Sequence, residues 1–551
     1  MNSDLDARHQ ARAWMVLLFE CGIVWFGVLG LRPLFNPDEG RYAEIPAAML
    51  ASGDFLVPRL NGLVYIEKPP LQYWATAASL AIFGHNEFGA RAFTGASAAI
   101  ALVFVYLLGA RAWNPTRGLT AAAMTGSMLL YVFMGQLITL DMALSCLLTI
   151  AISAFCLAQL ERTRRPAATR NWMLACWAAM AAATLTKGLI GVVIPGTVLV
   201  LYSLLQRDWT TWRHLHLGKG LLVYAAIVVP WFVLVERAHP GTFDFLIIRE
   251  HFQRYLTKMH DRFQPWWYFL MILTIGALPW LPQVGRALLL GWRATVPAGH
   301  FDPARVLWVM AAFTLLFFSL SDSKLAPYIV PVLPPLALLA SAGGPGAIVD
   351  LKRAAQLQML LGIALAIAVP LYGRKTLSGD AAWTFATLTP WLWAIAAVLL
   401  VGGALSLVQQ RRSLGAATRT LAATGFAVAL MLIAGGAGAI SARYTGKALL
   451  AKAGPLTPGA PIYAVDTFDW TLPFYTRQAL IPVQWRGELD YGLTAEPAKG
   501  IATIDAFKAR WQPDAPAYAL MSHAMHASLV QAGVPMRVLA EDFSKVLVSR
   551  R

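Results

Sequence analysis

Two acids, an arginine and a tyrosine fall within five residues in the string Asn36-Pro37-Asp38-Glu39-Gly40-Arg41-Tyr42-Ala43-Glu44. A second cluster follows shortly, Leu63-Val64-Tyr65-Ile66-Glu67-Lys68-Pro69-Pro70. Further charges stand where apolar runs end: Asp141 after Leu140, Lys187 before Gly188, and Lys324 with Tyr328 in Ser323-Lys324-Leu325-Ala326-Pro327-Tyr328. Ionisable groups at a membrane rim are costly to keep and mark functional sites. Asp38, Glu39, Asp141 and Lys187 are therefore the candidate catalytic groups. Arg41, Tyr42, Tyr65, Tyr328 and Lys324 are candidate substrate contacts. The cations and aromatics of Arg249-Glu250-His251-Phe252-Gln253-Arg254-Tyr255 suit an anionic lipid headgroup. A bland alternative exists for the first string. Asn36, Pro37 and Glu39 have the form of a helix N-cap, a proline in the first turn and a capping-box partner, which leaves Asp38 unexplained.

The elements that must hold these groups are membrane helices. With 58% hydrophobic and 13% charged residues, the 551-residue chain is too poor in charge for a soluble globular protein. Apolar runs of spanning length recur from residue 14 to residue 440. The net charge of +16 comes with Lys and Arg in short loops beside these runs, as positive-inside topology requires, so nucleic acid is not the expected partner. Basic loops at 111–117, 162–170, 207–219, 286–305, 352–353 and 411–419 set the cytoplasmic side. The stretch Leu71–Phe83 is too short to span and should lie along the outer surface, leaving the loop 32–88 external. The expected spans are 14–31, 89–110, 119–138, 142–160, 172–186, 188–206, 219–236, 266–290, 305–320, 326–342, 354–371, 391–410 and 419–440. That gives about 13 transmembrane helices with the N-terminus cytoplasmic, residues 1–440 forming the catalytic domain and the external loops 32–88 and 237–265 carrying the site. Residues 441–551 then lie outside as a small soluble α/β domain, with strands at 461–465, 517–521 and 545–549 and helices at 501–511 and 525–532. Their scattered charges make them secondary to the chemistry. All four cysteines fall in apolar segments and read as small buried hydrophobes.

The Pro37-to-Ile45 string, Ser52-Gly53-Asp54, the Tyr65-to-Pro70 motif, Leu185-Thr186-Lys187-Gly188, the Glu250-to-Tyr255 loop and the run from Ser323 to Leu339 together resemble the bacterial 4-amino-4-deoxy-L-arabinose lipid A transferases, within the broader GT-C glycosyltransferases. The resemblance covers most of the membrane region and is weak over 441–551. It implies a multi-pass enzyme of the Gram-negative inner membrane, with its site facing the periplasm. It further implies transfer of aminoarabinose from undecaprenyl phosphate to a lipid A phosphate, with resistance to polymyxin and other cationic peptides as the result.

With a lipid-linked donor, the departing phosphate needs fixed cations. Lys68 and Arg254 are the expected pair, with Arg249 in reserve. The acceptor phosphate is already largely ionised at neutral pH, its second pKa lying near ~6, so Asp38 need not act as a strong base. It can instead orient the acceptor or hold the sugar's ammonium, and Asp141 is the second acid for those duties. No cofactor is required. Some GT-C relatives use a divalent cation, and Glu67 with His251 could bind zinc from two loops, although two ligands are fewer than a structural site wants. A monomer is expected. The competing readings are a polyprenyl-phosphate-sugar transferase acting on another sugar or on a protein hydroxyl, and a lipid transporter.

Overall fold

The structure, a computed structural model, describes residues 2–246, 264–293, 296–342, 346–375, 377–441, 443, 445–511 and 515–550. Among them, seven helices are long and apolar enough to cross a membrane, or eight if a bent pair counts as one span. Their starts are encoded locally. Asn86 accepts a hydrogen bond from Gly89 N at 2.8 Å and starts the helix Glu87–Ala112. Asn114 does the same for Pro115–Ser127, and Asp302 for Pro303–Leu320, each such cap contributing about 1 kcal/mol. The segment Leu71–Phe83 is a 13-residue helix with the bounds expected from the sequence.

Two expected spans are broken. The run at 119–138 divides into Pro115–Ser127 and Leu129–Gly135, bent by 70°. The run at 266–290 divides into Tyr268–Gly276 and Leu281–Leu290 around Leu278-Pro279. The two breaks meet, because Leu129 N, freed by the bend, donates to Leu278 O at 3.1 Å. Gly425 of the helix Leu414–Leu430 lies against both, and a Cβ there would stand 2.6 Å from Pro279 Cδ and 2.9 Å from Ser127 O. A hydropathy window cannot see such a break, since the composition stays apolar throughout.

The C-terminal part is a five-stranded sheet. In spatial order its strands are Ile481–Val483, Ile462–Val465, Tyr518–Ser522, Lys545–Ser549 and Arg537–Glu541. The first three run parallel and the last two pairings are antiparallel. Two strands were not expected from the sequence, and both are edges. Ile481-Pro482-Val483 is short and holds a proline that only an edge tolerates, and Arg537–Glu541 is largely solvated. Alternate residues serve two cores. Tyr463, Val465 and Met521 pack under the sheet's own helices with Phe507 and Trp511. Ile462, Ala464 and Leu520 face the other way, onto Ile45, Met49, Leu60, Leu63, Tyr65 and Tyr73 of the first loop. The sheet is thus seated on the loop that holds the candidate acids.

Candidate functional site

The first loop is anchored by one of its two adjacent acids. Glu39 is almost wholly buried, at 1% exposure, between Arg32 and Arg91. Its Oε1 accepts from Arg91 Nε at 2.8 Å, Arg32 Nη2 at 3.1 Å and Ile138 N at 3.1 Å. Its Oε2 accepts from Arg32 Nη1 at 2.5 Å, Phe35 N at 2.9 Å and Arg91 Nη2 at 2.9 Å. Burial by itself would raise the carboxyl pKa, but the two guanidiniums overcome it and hold the group well below the usual range. Glu39 therefore fixes the loop to the helix bundle and has no free oxygen for substrate, which corrects its expected catalytic role. The capping box does not form either. The helix Asp38–Ser52 starts without a side-chain cap. Asn36 instead donates to Asp469 Oδ2 at 2.9 Å and accepts from Trp470 N at 3.0 Å.

One residue earlier, Asp38 points the other way. Its side chain is 54% exposed, and Oδ1 accepts from Arg41 Nη2 one helical turn on. The Arg41 guanidinium is nearly buried, pairs through Nη1 with Glu488, and lies 5.6 Å above the Trp470 ring. Burial opposes its charge, yet the phenols of Tyr65 and Tyr42 and the carboxylates of Asp38 and Glu67 hold its pKa above the ordinary guanidinium value. Tyr65 donates to Glu67 Oε2 at 2.9 Å. Tyr42 stacks on Tyr73 with ring centroids 6.2 Å apart. Burial first, and the field of Asp38, Glu67 and Asp141 next, push the Tyr42 phenol up against the opposing pull of Arg41. It stays a neutral hydroxyl at any physiological pH. Lys68 sits beside this cluster, Nζ donating to Glu67 O at 2.7 Å.

A second ion pair closes the group. Asp141, at the start of the helix Leu140–Glu161, meets Lys187, at the end of Pro166–Lys187. Each charge complements its own helix dipole. Lys187 Nζ also stands 4.4 Å from the Tyr328 ring centroid. Because Asp38, Glu67 and Asp141 all act on Tyr42, the groups form one field at one end of the bundle.

Lys324 is differently placed. Its Nζ donates to Gln264 O at 2.9 Å and Ser321 O at 2.5 Å, tying two loops together, so main-chain anchoring replaces its expected substrate contact. Arg249, His251 and Arg254 lie outside the described residues. Of the expected zinc pair only Glu67 is described, and among the described residues no three His, Cys, Asp or Glu side chains gather as a metal site would require.

Residues 441–551, expected to be secondary to the chemistry, reach the candidate cluster through Glu488, Trp470 and Asp469. Asp469 accepts from Thr471 N at 2.9 Å and Thr471 Oγ1 at 2.7 Å, pairs with Lys545 at 2.9 Å, and thereby presents its second oxygen to Asn36. Trp470 O approaches Gly40 so closely that a Cβ would lie 2.4 Å from it, which explains the glycine inside the first string. That glycine was the one signal in the sequence that another part of the chain lies on this helix.

Known proteins resemble this chain in sequence and in fold. Residues 450–550 match the family described as aminoarabinose transferase C-terminal domain, and residues 67–233 match dolichyl-phosphate-mannose-protein mannosyltransferase. An undecaprenyl phosphate-alpha-4-amino-4-deoxy-L-arabinose arabinosyl transferase of Pseudomonas paraeruginosa is 33% identical over 335 residues, 60% of this chain and 59% of its own length. A relative of the same description from Pseudomonas fluorescens is 31% identical over 412 residues, 68% of this chain and 66% of that one. The chain thus spans about three fifths of the length of the first of these curated relatives. The crystal structure of ArnT from Cupriavidus metallidurans bound to undecaprenyl phosphate superposes with a TM-score of 0.88 at 33% identity, covering 98% of both chains. The apo state of that protein gives 0.85 at 34% identity.

Proposed function

Because this chain belongs to the aminoarabinose transferase family of GT-C glycosyltransferases, we propose that it moves 4-amino-4-deoxy-L-arabinose from undecaprenyl phosphate to a phosphate of lipid A. In this reading it is a multi-pass enzyme of the Gram-negative inner membrane with 13 crossings, a cytoplasmic N-terminus and a periplasmic site. It works as a monomer and requires no cofactor, and the modified lipid A resists polymyxin. Residues 1–440 form the catalytic domain and 441–551 a periplasmic domain that completes the site.

The chemistry follows from the charges. An anionic oxygen of the acceptor phosphate attacks the anomeric carbon, the bond from that carbon to the donor phosphate oxygen breaks, and undecaprenyl phosphate departs with the electron pair. Lys68 meets the charge that develops on the departing phosphate, with Arg254 and Arg249 as its partners, and a fixed cation there is most effective because it needs no reorganisation. The nucleophile carries no proton to remove. A bare carboxylate between two phosphates would repel both, but Asp38 shares Arg41 with Glu488, so the guanidinium blunts that repulsion while the group keeps one net negative charge. That group can orient the acceptor and receive the sugar's ammonium. Asp141 with Lys187 forms the matching pair across the site. Tyr42, Tyr65 and Tyr328 supply hydroxyls and ring faces for the sugar.

The observation that carries this reading is the half-exposed Asp38 held by a buried Arg41 at the centre of the cluster. The test is the mass of lipid A from a host lacking its own transferase, with and without this chain. A gain of one aminoarabinose unit is the expected result. Unchanged lipid A alongside a glycosylated protein would move the reading to the hydroxyl-acceptor transferases, in which Asp38 must act as a base.

A further inference from the structure

At the end of the bundle away from the candidate site, the helices leave a crevice of about 570 Å³ lined almost wholly by carbon, among others by Leu18, Cys21, Trp25, Leu102, Leu119 and Phe426. The helix Glu87–Ala112 gives its direction. Its first residue, Glu87, accepts from Tyr475 of the C-terminal part at 3.1 Å, whereas the crevice is lined by its middle and later turns, from Ala98 to Tyr106. Met15 and Val103 at the rim are exposed, so the space opens sideways into whatever surrounds the bundle.

Three polar groups on its wall have partners within the bundle. Trp25 Nε1 donates to Gly95 O at 3.3 Å, Tyr131 to Ala98 O at 2.7 Å and Ser127 Oγ to Ala123 O at 2.6 Å. Apolar cavities of even ~150 Å³ stay dry and accept apolar guests, and unfilled walls forfeit dispersion contacts.

One end carries a charge. Ala422, Ala423 and Phe426 line the crevice from the helix Leu414–Leu430, and Arg419 precedes them at helical spacing on the same stripe. Its Cζ lies 5.6 Å above the ring of Trp14, the residue next to the rim residue Met15. Nη1 of Arg419 is buried with no hydrogen-bond partner among the described residues. A buried guanidinium nitrogen without an acceptor is expensive. A crevice for hydrocarbon with a partly buried cation one helical turn beyond its lining residues has the shape and charge of a phospholipid.

We infer that this crevice binds one anionic phospholipid of the phosphatidylglycerol class, an acyl chain between the helices and the phosphate on Arg419. Basic pockets between membrane helices select anionic headgroups on this principle. The site is independent of the sugar transfer and stands or falls without it.

The test is native mass spectrometry of the full chain in mild detergent, offered phosphatidylglycerol and phosphatidylcholine with identical acyl chains. The wild type should retain one phosphatidylglycerol, preferred roughly fivefold over phosphatidylcholine, as expected for the ~1 kcal/mol a basic side chain contributes toward an anionic lipid. Gly22 lines the crevice, and a Cβ there would meet nothing within 4 Å, so Gly22→Phe can fill the space without a clash. It should abolish retention of both lipids, and Ala423→Phe provides the same test from the opposite wall. Arg419→Gln should keep lipid but lose the preference. Equal retention of the two lipids by the wild type, undiminished retention in both filled variants, or a preference that survives Arg419→Gln would overturn the inference.

Discussion

Asp38 and Glu39 are neighbours in sequence and opposites in structure. Glu39 faces the bundle, where Arg32, Arg91 and two main-chain amides occupy both its oxygens. Asp38 faces out, half-exposed, with Arg41 as its ion-pair partner. About 100° of helical rotation separates an acid that holds the loop in place from an acid left available to a substrate. A fully satisfied carboxylate serves as an anchor, whereas a carboxylate with spare lone pairs beside a fixed cation can do chemistry.

The sharpest way to break this comparison is to remove each acid in turn. Glu39→Ala leaves two guanidiniums buried and unpaired, a loss of about 3–5 kcal/mol. That variant should fail to accumulate as folded protein, as judged by monodisperse size exclusion after membrane extraction. Asp38→Asn should accumulate normally and lose at least ~10²-fold in transfer. Raising the pH should not restore it, because no deprotonation is missing; recovery in alkali would mean that Asp38 is a base. Glu39→Ala folding normally would erase the distinction between the two acids.

Lys68→Ala comes next, with an expected fall of ~10² in turnover at normal expression. Near-normal lipid A modification by that variant would remove Lys68 from the leaving-group role. A smaller effect should follow at Glu488, which reaches Arg41 from the C-terminal sheet region. Glu488→Gln keeps the shape and removes the charge, so turnover should drop roughly tenfold, equivalent to ~1.4 kcal/mol. Wild-type kinetics there would show that Asp38 and Arg41 hold their geometry without the C-terminal part.

The last of these effects concerns stability and not turnover. Glu44 lies on the same helix as Asp38, buried, and accepts from Asn61 N at 3.1 Å, in the turn between the short antiparallel strands Arg59–Leu60 and Leu63–Val64. Burial pushes its carboxyl up to about 8, with the Asn61 amide pulling weakly the other way. A pKa raised on folding gives stability that is present in full below the unfolded value, near 4.5, and is lost as the pH climbs through about 8. Melting temperature should therefore fall between pH 5 and pH 8.5 in the wild type, and Glu44→Gln should flatten that part of the curve. Identical pH profiles would place an ionised Glu44 in the folded protein.

Much of the frame was legible in the amino-acid order. The dearth of charge required a bilayer, the shortness of Leu71–Phe83 ruled out a span, and alternating runs located three of the five C-terminal strands. The first loop stood out because charge beside a membrane is expensive. Periodicity, turn chemistry and transfer energy act over a few residues, so the sequence by itself carries them. It left Asp38 unexplained by a helix start, but it could not show that Glu39 is an anchor and not a capping-box partner. The assignment waited for Arg91, brought to Glu39 from the next long helix, and for the contact between Asn36 and Asp469, 433 residues apart. Nor could it show that Glu488 and Trp470 contact Arg41, or that two apolar runs break where they meet Gly425. Those were decided by packing, because a hydrogen bond between distant segments depends on where the rest of the chain puts its two ends.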